Sequence, residues 1–414
     1  MKILLVNYRY FVSGGPERYM FNIKKVLEEK GHEVIPFSIH SNKNVSTEYS
    51  KYFVEPIGSR DATYYEECKK TPKVIWQMFT RSIYSLEVKK AIQKEIKEEK
   101  PDLVYIIHFV NKLSPSVIRG AKQMAVPVVL RLSDFFLLCP RFDFMYNKKI
   151  CEDCLSKGYG ECIKKKCVKN SLFASVIRVF SMKVHEWMDI YKDVDAYITP
   201  SEFLKKKLIA NGFEEEKITC IPTFAETKEG NEEPVVGAYG LYFGRITVEK
   251  GVETVVKAYE KLSDHRVKIM GDDTTEEAIR LKEYCAKNKL TNIEFIGFKQ
   301  GRELEEIIRE ARFVLIPSIW YDNLPNTALE AFRNKKPVIA SDVGSLPELV
   351  KHGFNGYLFK VADFKDLIEK IKLMNDDKDV IALGNNSYNY LLEKFNVRNH
   401  YKSLMRVFEI AIKK

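Results

Sequence analysis

No stretch of this sequence stays apolar for the roughly 18 residues that a membrane-spanning helix requires. The first apolar run, Ile3–Val6, breaks at Asn7 and Arg9, too short for the core of a secretory leader. A cytoplasmic protein is expected, soluble or peripheral on the inner face of the membrane. Low-complexity segments and short-period repeats are absent too, which excludes fibrous classes. The chain is not short of apolar residues. At 414 residues, 45% hydrophobic and 30% charged, it can bury real cores and is not a disordered polymer. Its 67 Lys and Arg exceed its 57 Asp and Glu for a net charge of +10, which favours anionic partners without choosing among phosphate, lipid and nucleic acid.

Short apolar runs alternate with helical patterns. Ile3–Val6 reads as a buried parallel strand, followed by a helix from Glu17 to Glu29 that Gly31 ends. Val34–Ile39, Leu103–Ile107, Val126–Leu130 and Ala196–Thr199 read as further strands, with long helical patterns over 74–100 and 171–191. After an acidic stretch at 225–234 a second series begins at Val236–Phe243 and runs through Val267–Met270, Ile293–Ile296 and Val314–Pro317. Two such series imply two doubly wound parallel sheets, with ligands beyond the carboxyl ends of the strands and in the cleft between the domains.

Three loops carry chemistry. Pro317 ends a strand, and the loop from Asp322 to Asn326 leads into a helix bearing Glu330. The N–H groups and dipole at such a helix start favour an anion, and phosphate is the natural guest. Glu330 lies about one turn inside, where a carboxylate can accept hydrogen bonds from vicinal ribose hydroxyls. Asp322 can hold hydroxyls of a second polar group. A helix capped by Asn326 is the plainer alternative. In the second loop, between Phe243 and Gly251, Arg245 and Lys250 can both reach a diphosphate, one as a planar fork and one as a point charge. The third loop, Ser13-Gly14-Gly15-Pro16-Glu17, lets backbone approach a ligand closely, but it is not the G-x-G-x-x-G of nicotinamide dinucleotide sites.

In order, these loops, with Thr199–Phe203, Phe295–Phe298 and Gly344–Glu348, resemble glycosyltransferase family 4 nearly end to end, most specifically over 236–358. The resemblance implies an α/β GT-B fold, two Rossmann-like domains facing each other across a cleft: 1–222 on the acceptor side with a Cys-rich insert at 139–167, 235–390 binding the donor nucleotide, and a C-terminal helix within 391–414 crossing back. It implies a retaining, metal-independent transferase. A sugar would move from a nucleoside diphosphate sugar to a hydroxyl of a glycan or lipid-linked saccharide, with no catalytic cofactor. By that resemblance Arg245 and Lys250 hold the donor diphosphate, Glu330 the ribose and Asp322 the sugar hydroxyls. Asn323, Leu324, Pro325 and Asn326 line sugar and phosphate, and Gly14 and Gly15 face them. Two departures stand out. Asp322 replaces the first Glu of the usual pair separated by seven residues, the second being Glu330, and Ser133 stands where many members have His. Asp134, or His108 after another strand, would then serve as base or acceptor-orienting group, although the leaving diphosphate can itself take the acceptor proton.

Cys151, Cys154, Cys162 and Cys167 have a density that suits one structural zinc, with Cys139 as a substitute ligand and free thiols or disulfides as competing readings. Cys68, Cys220 and Cys285 are isolated and read as packing. Helices 74–94 and 171–191 combine Trp and Phe with Lys and Arg. An amphipathic core helix with a solvated back is the plain reading, and contact with anionic membrane the other. Two further functions compete: an epimerase or phosphorylase on the same fold, and a non-enzymatic polyanion binder. The spread of the charge argues against nucleic acid as a partner.

Overall fold

The computed structural model describes residues 1–60, 71–226 and 234–413. Cys68 and most of the acidic stretch at 225–234 lie outside them. Two six-stranded parallel sheets organise the chain. The first contains β1 (Lys2–Asn7), β2 (Glu33–Phe37), β3 (Leu103–His108), β4 (Val128–Arg131), β7 (Ala196–Thr199) and β8 (Ile218–Cys220), in the order β2-β1-β3-β4-β7-β8. β5 (Met145–Tyr146) and β6 (Lys149–Ile150) form a small antiparallel ribbon in the insert. The second sheet contains β9 (Tyr239–Phe243), β10 (Arg266–Met270), β11 (Ile293–Phe295), β12 (Phe313–Ile316), β13 (Val338–Ser341) and β14 (Gly356–Phe359), in the order β11-β10-β9-β12-β13-β14.

The apolar runs without alternation form strands covered on both faces, as parallel sheets require. In β1, Leu4 and Val6 enter one core with Val88, Ile92 and Val104, while Ile3 and Leu5 enter another with Met20, Ile23 and Tyr105. The same split divides the second sheet: Tyr242 and Ile269 face one core, Leu241 and Met270 the other. The Val397–Lys413 helix inserts Leu404, Val407, Phe408 and Ala411 into the core of the first sheet, with the Phe408 ring 5.1 Å from Tyr105. Buried His400 ties that helix down, lying 3.0 Å from the Tyr19 hydroxyl and 2.7 Å from the Pro222 carbonyl.

Strand order reverses between β1 and β3 in one sheet and between β9 and β12 in the other. Loops at the carboxyl ends of such strands diverge and leave a crevice. The three chemically marked loops follow β1, β9 and β12, and the segment carrying Asp134 follows β4.

Four elements differ from the sequence reading. Residues 74–100 are two helices, Pro72–Ile83 and Leu86–Glu99, because Tyr84 is extended and Ser85 caps the second one through the Val88 N–H. The pattern over 171–191 stops at Trp187, after which Asp189 adopts a left-handed conformation and a short 3-10 turn follows. β8 and β14, three and four residues long, carry too little pattern to be read.

Candidate functional site: a cleft between the two sheets

The loops after β1, β4, β9 and β12 converge on a cavity of about 300 Å³. It brings together Gly15, Ser133 and Asp134 from the first lobe with Arg245, Lys250, Asp322, Asn323, Leu324, Pro325 and Asn326 from the second. Gly14 lies just outside, capping the Gly15–Glu29 helix in an extended conformation. Glu330 lines an adjoining pocket of about 110 Å³ that shares Tyr19, Thr223 and Asn326 with the cleft. A larger cavity of about 530 Å³ lies behind residues 136–138, but its charged rim, Lys183, Glu186, Asp189, Lys192, Glu214 and Lys217, mixes both signs and focuses no field.

Lys250 is held by an unusual anchor. Gly251 has φ +69°, and a Cβ there would come within 1.9 Å of the Pro317 carbonyl oxygen, so only glycine lets the two loops approach this closely. The approach sets the Lys250 ammonium 2.8 Å and 2.9 Å from the two Asp322 oxygens, while Ser318 donates to Asp322 at 2.6 Å. Asp322 is 5% exposed and so is a partner of Lys250 more than an open acceptor. An ammonium has three donors, so one remains for a ligand. Arg245 is freer, 64% exposed and 3.6 Å from Glu249. Both cations lie near the Trp320 ring, at 5.1 Å for Lys250 and 6.0 Å for Arg245.

The loop behind them is locked. Ser345 Oγ donates to the Asp322 carbonyl and accepts from the Leu324 N–H, both at 2.7 Å. Leu324 takes φ +58°, sparsely allowed for a side chain of this size. Gly344 is at φ +61°, and a Cβ there would crowd Tyr321 and Asp322 backbone at 3.0–3.2 Å. The eight-residue Asn326–Arg333 helix then begins with Pro325 at the cap and no side-chain capping bond. Asn326 is thus its first helical residue and not the cap the plainer reading offered, and the helix start faces the cleft uncapped. Two buried donors in this loop, Trp320 Nε1 and Asn323 Nδ2, have no hydrogen-bond partner. Buried donors are rarely left so, and here they suit a ligand rich in acceptor oxygens.

Across the cleft, Asp134 Oδ1 accepts from the Phe136 N–H at 2.9 Å and Oδ2 lies 3.7 Å from His108 Nε2. Burial pushes the Asp134 carboxyl up to about 6, against the Phe136 N–H and the Arg178 charge. Burial pushes His108 down to about 4, against the Glu17 charge, so the imidazole is neutral near pH 7. Ser133 joins the cleft lining beside them.

Sequence reasoning missed four participants. Arg18 donates to Glu330 at 2.9 Å across the lobes, and burial, only partly offset by Arg18, raises the Glu330 carboxyl. Glu348 accepts from the Glu202 and Phe203 N–H groups at 2.8 Å and 2.5 Å, so a second-lobe carboxylate sits on a first-lobe helix start. Ser201 donates to Asn323 at 2.8 Å. Trp320 had a visible signal, an indole between a strand end and Asp322. Ser201 and Glu348 lie in the Thr199–Phe203 and Gly344–Glu348 segments that carry the resemblance, but their contacts, like that of Arg18, join distant segments, and no local pattern announces the meeting.

The zinc expectation is corrected. Among the described residues no group of three or more His, Cys, Asp or Glu side chains is arranged to hold a metal ion. Cys162 and Cys167 are buried with Val179, and Cys154 packs beside them. Burial, with the neighbouring cysteines, pushes the Cys154 and Cys162 thiols up to about 12, and burial pushes Cys139 up to about 11. Cys151 instead faces the Lys165 ammonium at 3.3 Å, and Lys165 also pairs with Asp153. Cys220 is half-buried and Cys285 buried among apolar neighbours.

The second sheet has a recognisable relative. Residues 224–390 match the family model for glycosyl transferases group 1. The second lobe is a glycosyl transferases group 1 domain. An uncharacterized glycosyltransferase of Methanocaldococcus jannaschii is 31% identical over 172 residues, which cover 41% of this chain and 48%, about half, of that protein. A sulfoquinovosyl transferase of Arabidopsis thaliana is 25% identical across 94% of this chain and 69% of its own length. Among solved structures, the Anabaena protein HepE in complex with UDP-glucose is similar at a TM-score of 0.63 and 16% identity, covering 99% of both chains. The architecture is thus GT-B, with the group 1 domain supplying Arg245, Lys250, Asp322 and Glu330 to the cleft.

Proposed function

We propose that this chain is a retaining, metal-independent glycosyltransferase of the family 4 type, moving a sugar from a nucleoside diphosphate sugar to a hydroxyl of a glycan or lipid-linked saccharide. The observation that carries this reading is the convergence in one cleft of Arg245, Lys250, two unpartnered donors and an uncapped helix start, opposite a carboxyl group on the other lobe. Such a donor set matches a diphosphate and a sugar, and HepE, solved with UDP-glucose, supports a uridine nucleotide as the first donor to try.

In this reading the acceptor oxygen attacks the anomeric carbon from the face that the diphosphate leaves. The bond from that carbon to the diphosphate oxygen breaks, and the acceptor proton passes to the departing diphosphate. Arg245, the third donor of Lys250 and the N-terminus of the Asn326–Arg333 helix stabilise the charge that develops there. Asp322 fixes Lys250 and offers its one remaining lone pair to a sugar hydroxyl. Glu330 accepts from the ribose, exchanging Arg18 for two hydroxyls. Asp134, supported by Phe136 N–H, accepts from a second hydroxyl of the acceptor and so orients it, with Ser133 and His108 beside it.

A thermal-shift panel of nucleoside diphosphate sugars tests the binding half, because a ligand that binds only the folded state raises its melting temperature. One nucleotide sugar should raise it, and Arg245→Ala should abolish the rise with the unliganded melting temperature unchanged. Nucleoside diphosphate release that depends on added saccharide acceptor tests the transfer half. Release independent of any acceptor, or no shift with any donor, rejects the reading.

A further inference from the structure

The Leu172–Trp187 helix is apolar on two sides. Its inner side buries Val179, Met182, Arg178 and His185. Its outer side carries Phe173, Val176, Phe180 and Trp187, at 69%, 42%, 51% and 85% exposure. Their spacing of three, four and seven residues places all four on one stripe. The adjacent Pro72–Ile83 helix, packed against the first, exposes Trp76 at 65%, stacked on Phe79 at 5.9 Å. The plain reading of these two segments put the aromatic residues in the core and polar residues outward; the structure turns the aromatic row outward. Exposed aromatic residues gathered on two packed helices mark an interaction surface.

The charge around this surface leans positive, although Glu161 and Glu186 pair with Lys164 and Lys183 at 2.7 Å each. Residues 164–185 hold five lysines and Arg178 but no Asp or Glu, and residues 71–86 hold Lys73 and Arg81 but no Asp or Glu, in a chain with 57 acidic residues. Lys164 and Lys183 are 74% and 60% exposed. On the inner side of the same helix, Arg178 donates to the Phe136 and Pro140 carbonyls at 3.1 Å and 3.3 Å and so fastens the segment that begins at Asp134.

We propose that the outer faces of these two helices dock on an anionic lipid bilayer, which sets the Asp134 side of the cleft at the membrane surface. Aromatic side chains enter the headgroup boundary while lysines pair with anionic headgroups. A second copy of the chain fits less well, because a two-fold contact through this patch would set two net-positive rims against each other. The docking face goes beyond the transfer reading, and its test needs neither donor nor acceptor.

The full chain is sedimented with vesicles of phosphatidylcholine alone and of phosphatidylcholine mixed with phosphatidylglycerol, at low and high salt. Binding is expected to the mixed vesicles, weaker at high salt, with a blue shift of tryptophan emission. Phe173→Ser/Phe180→Ser and, separately, Lys164→Glu/Lys183→Glu should each weaken binding by roughly tenfold or more, with the melting temperature and any donor-induced shift unchanged. The charge-reversal pair lies on the surface, at 74% and 60% exposure, and guards against a folding defect in the first variant. No binding to mixed vesicles, equal binding by both variants, or a dimer in light scattering that Phe173→Ser dissociates would each overturn the proposal.

Discussion

Arg18, on the first helix of the first lobe, donates to Glu330 of the group 1 domain at 2.9 Å, so the carboxylate assigned to the donor ribose is engaged across the cleft. The pair is lopsided: the Arg18 side chain is 54% exposed and Glu330 is 21% exposed. An exposed guanidinium gives up its partner at small cost, about 0–1 kcal/mol, whereas two hydrogen bonds from hydroxyls to a carboxylate contribute more. Arg18→Ala should therefore alter donor affinity by less than about fivefold, and Glu330→Ala should weaken it by roughly tenfold to a hundredfold. Titration calorimetry with the nucleotide sugar that stabilises the protein compares them. An Arg18→Ala effect as large as that of Glu330→Ala would show that Arg18 itself holds the donor.

The bidentate Lys250–Asp322 pair predicts a stability effect in the opposite pattern. Both side chains are mostly buried, at 18% and 8% exposure, and removing one partner strands the other. Asp322→Ala should cost about 2–4 kcal/mol in urea unfolding of the group 1 domain. The double variant Lys250→Met/Asp322→Leu should recover part of that loss while transfer stays absent. A double variant less stable than the single one would mean that the pair is held by something other than its mutual charge.

What was legible in the sequence and what was not follows from the reach of each signal. β1, β9 and β12 are continuous apolar runs, and parallel strands covered on both faces can hardly look otherwise. The loops after them were legible because glycine, proline and charge sit at fixed offsets from a strand end. The helix break at Tyr84 rests on one serine cap inside an unbroken apolar period, too faint to outweigh it. Arg18, Ser201 and Glu348 act through partners 312, 122 and at least 145 residues away, and no periodicity encodes such a meeting. The cysteines misled for a related reason. Their spacing permits a zinc site, but the fold puts Cys162 and Cys167 in an apolar pocket and turns Cys151 to Lys165.

Gly251 isolates the contact between the loops that follow β9 and β12. A Cβ at this residue would meet the Pro317 carbonyl carbon at 2.9 Å as well as its oxygen, and the left-handed φ adds strain. Gly251→Ala should destabilise by about 2 kcal/mol or more and move Lys250 away from Asp322. Gly158 also has a positive φ, of +84°, but open space around its Cβ position, so Gly158→Ala should lose only about 1 kcal/mol. Equal losses in thermal melts of the two variants would mean that backbone strain alone, and not the close approach of the loops, sets the cost at Gly251.

Asp134 predicts a pH dependence whose sign differs for activity and for stability. Its carboxyl titrates near 6 in the folded protein, against an ordinary value of 3.8, because burial disfavours the charged form. Between those values the folded state binds more protons than the unfolded one, so stability falls as pH rises through that window. In the proposed mechanism the carboxylate accepts from a second hydroxyl of the acceptor, so activity should rise over the same interval. Asp134→Asn should remove the acid limb of kcat/KM near pH 6 along with most of the rate. It should also melt higher than the wild type above pH 6, by on the order of 1 kcal/mol after allowing for the 30% exposure of the side chain. His108→Asn separates the two neighbours: with the imidazole already neutral above about pH 4, it should leave the limb near 6 in place. A limb that moves with His108 and persists in Asp134→Asn would assign the titration to the imidazole and remove Asp134 from the acceptor site.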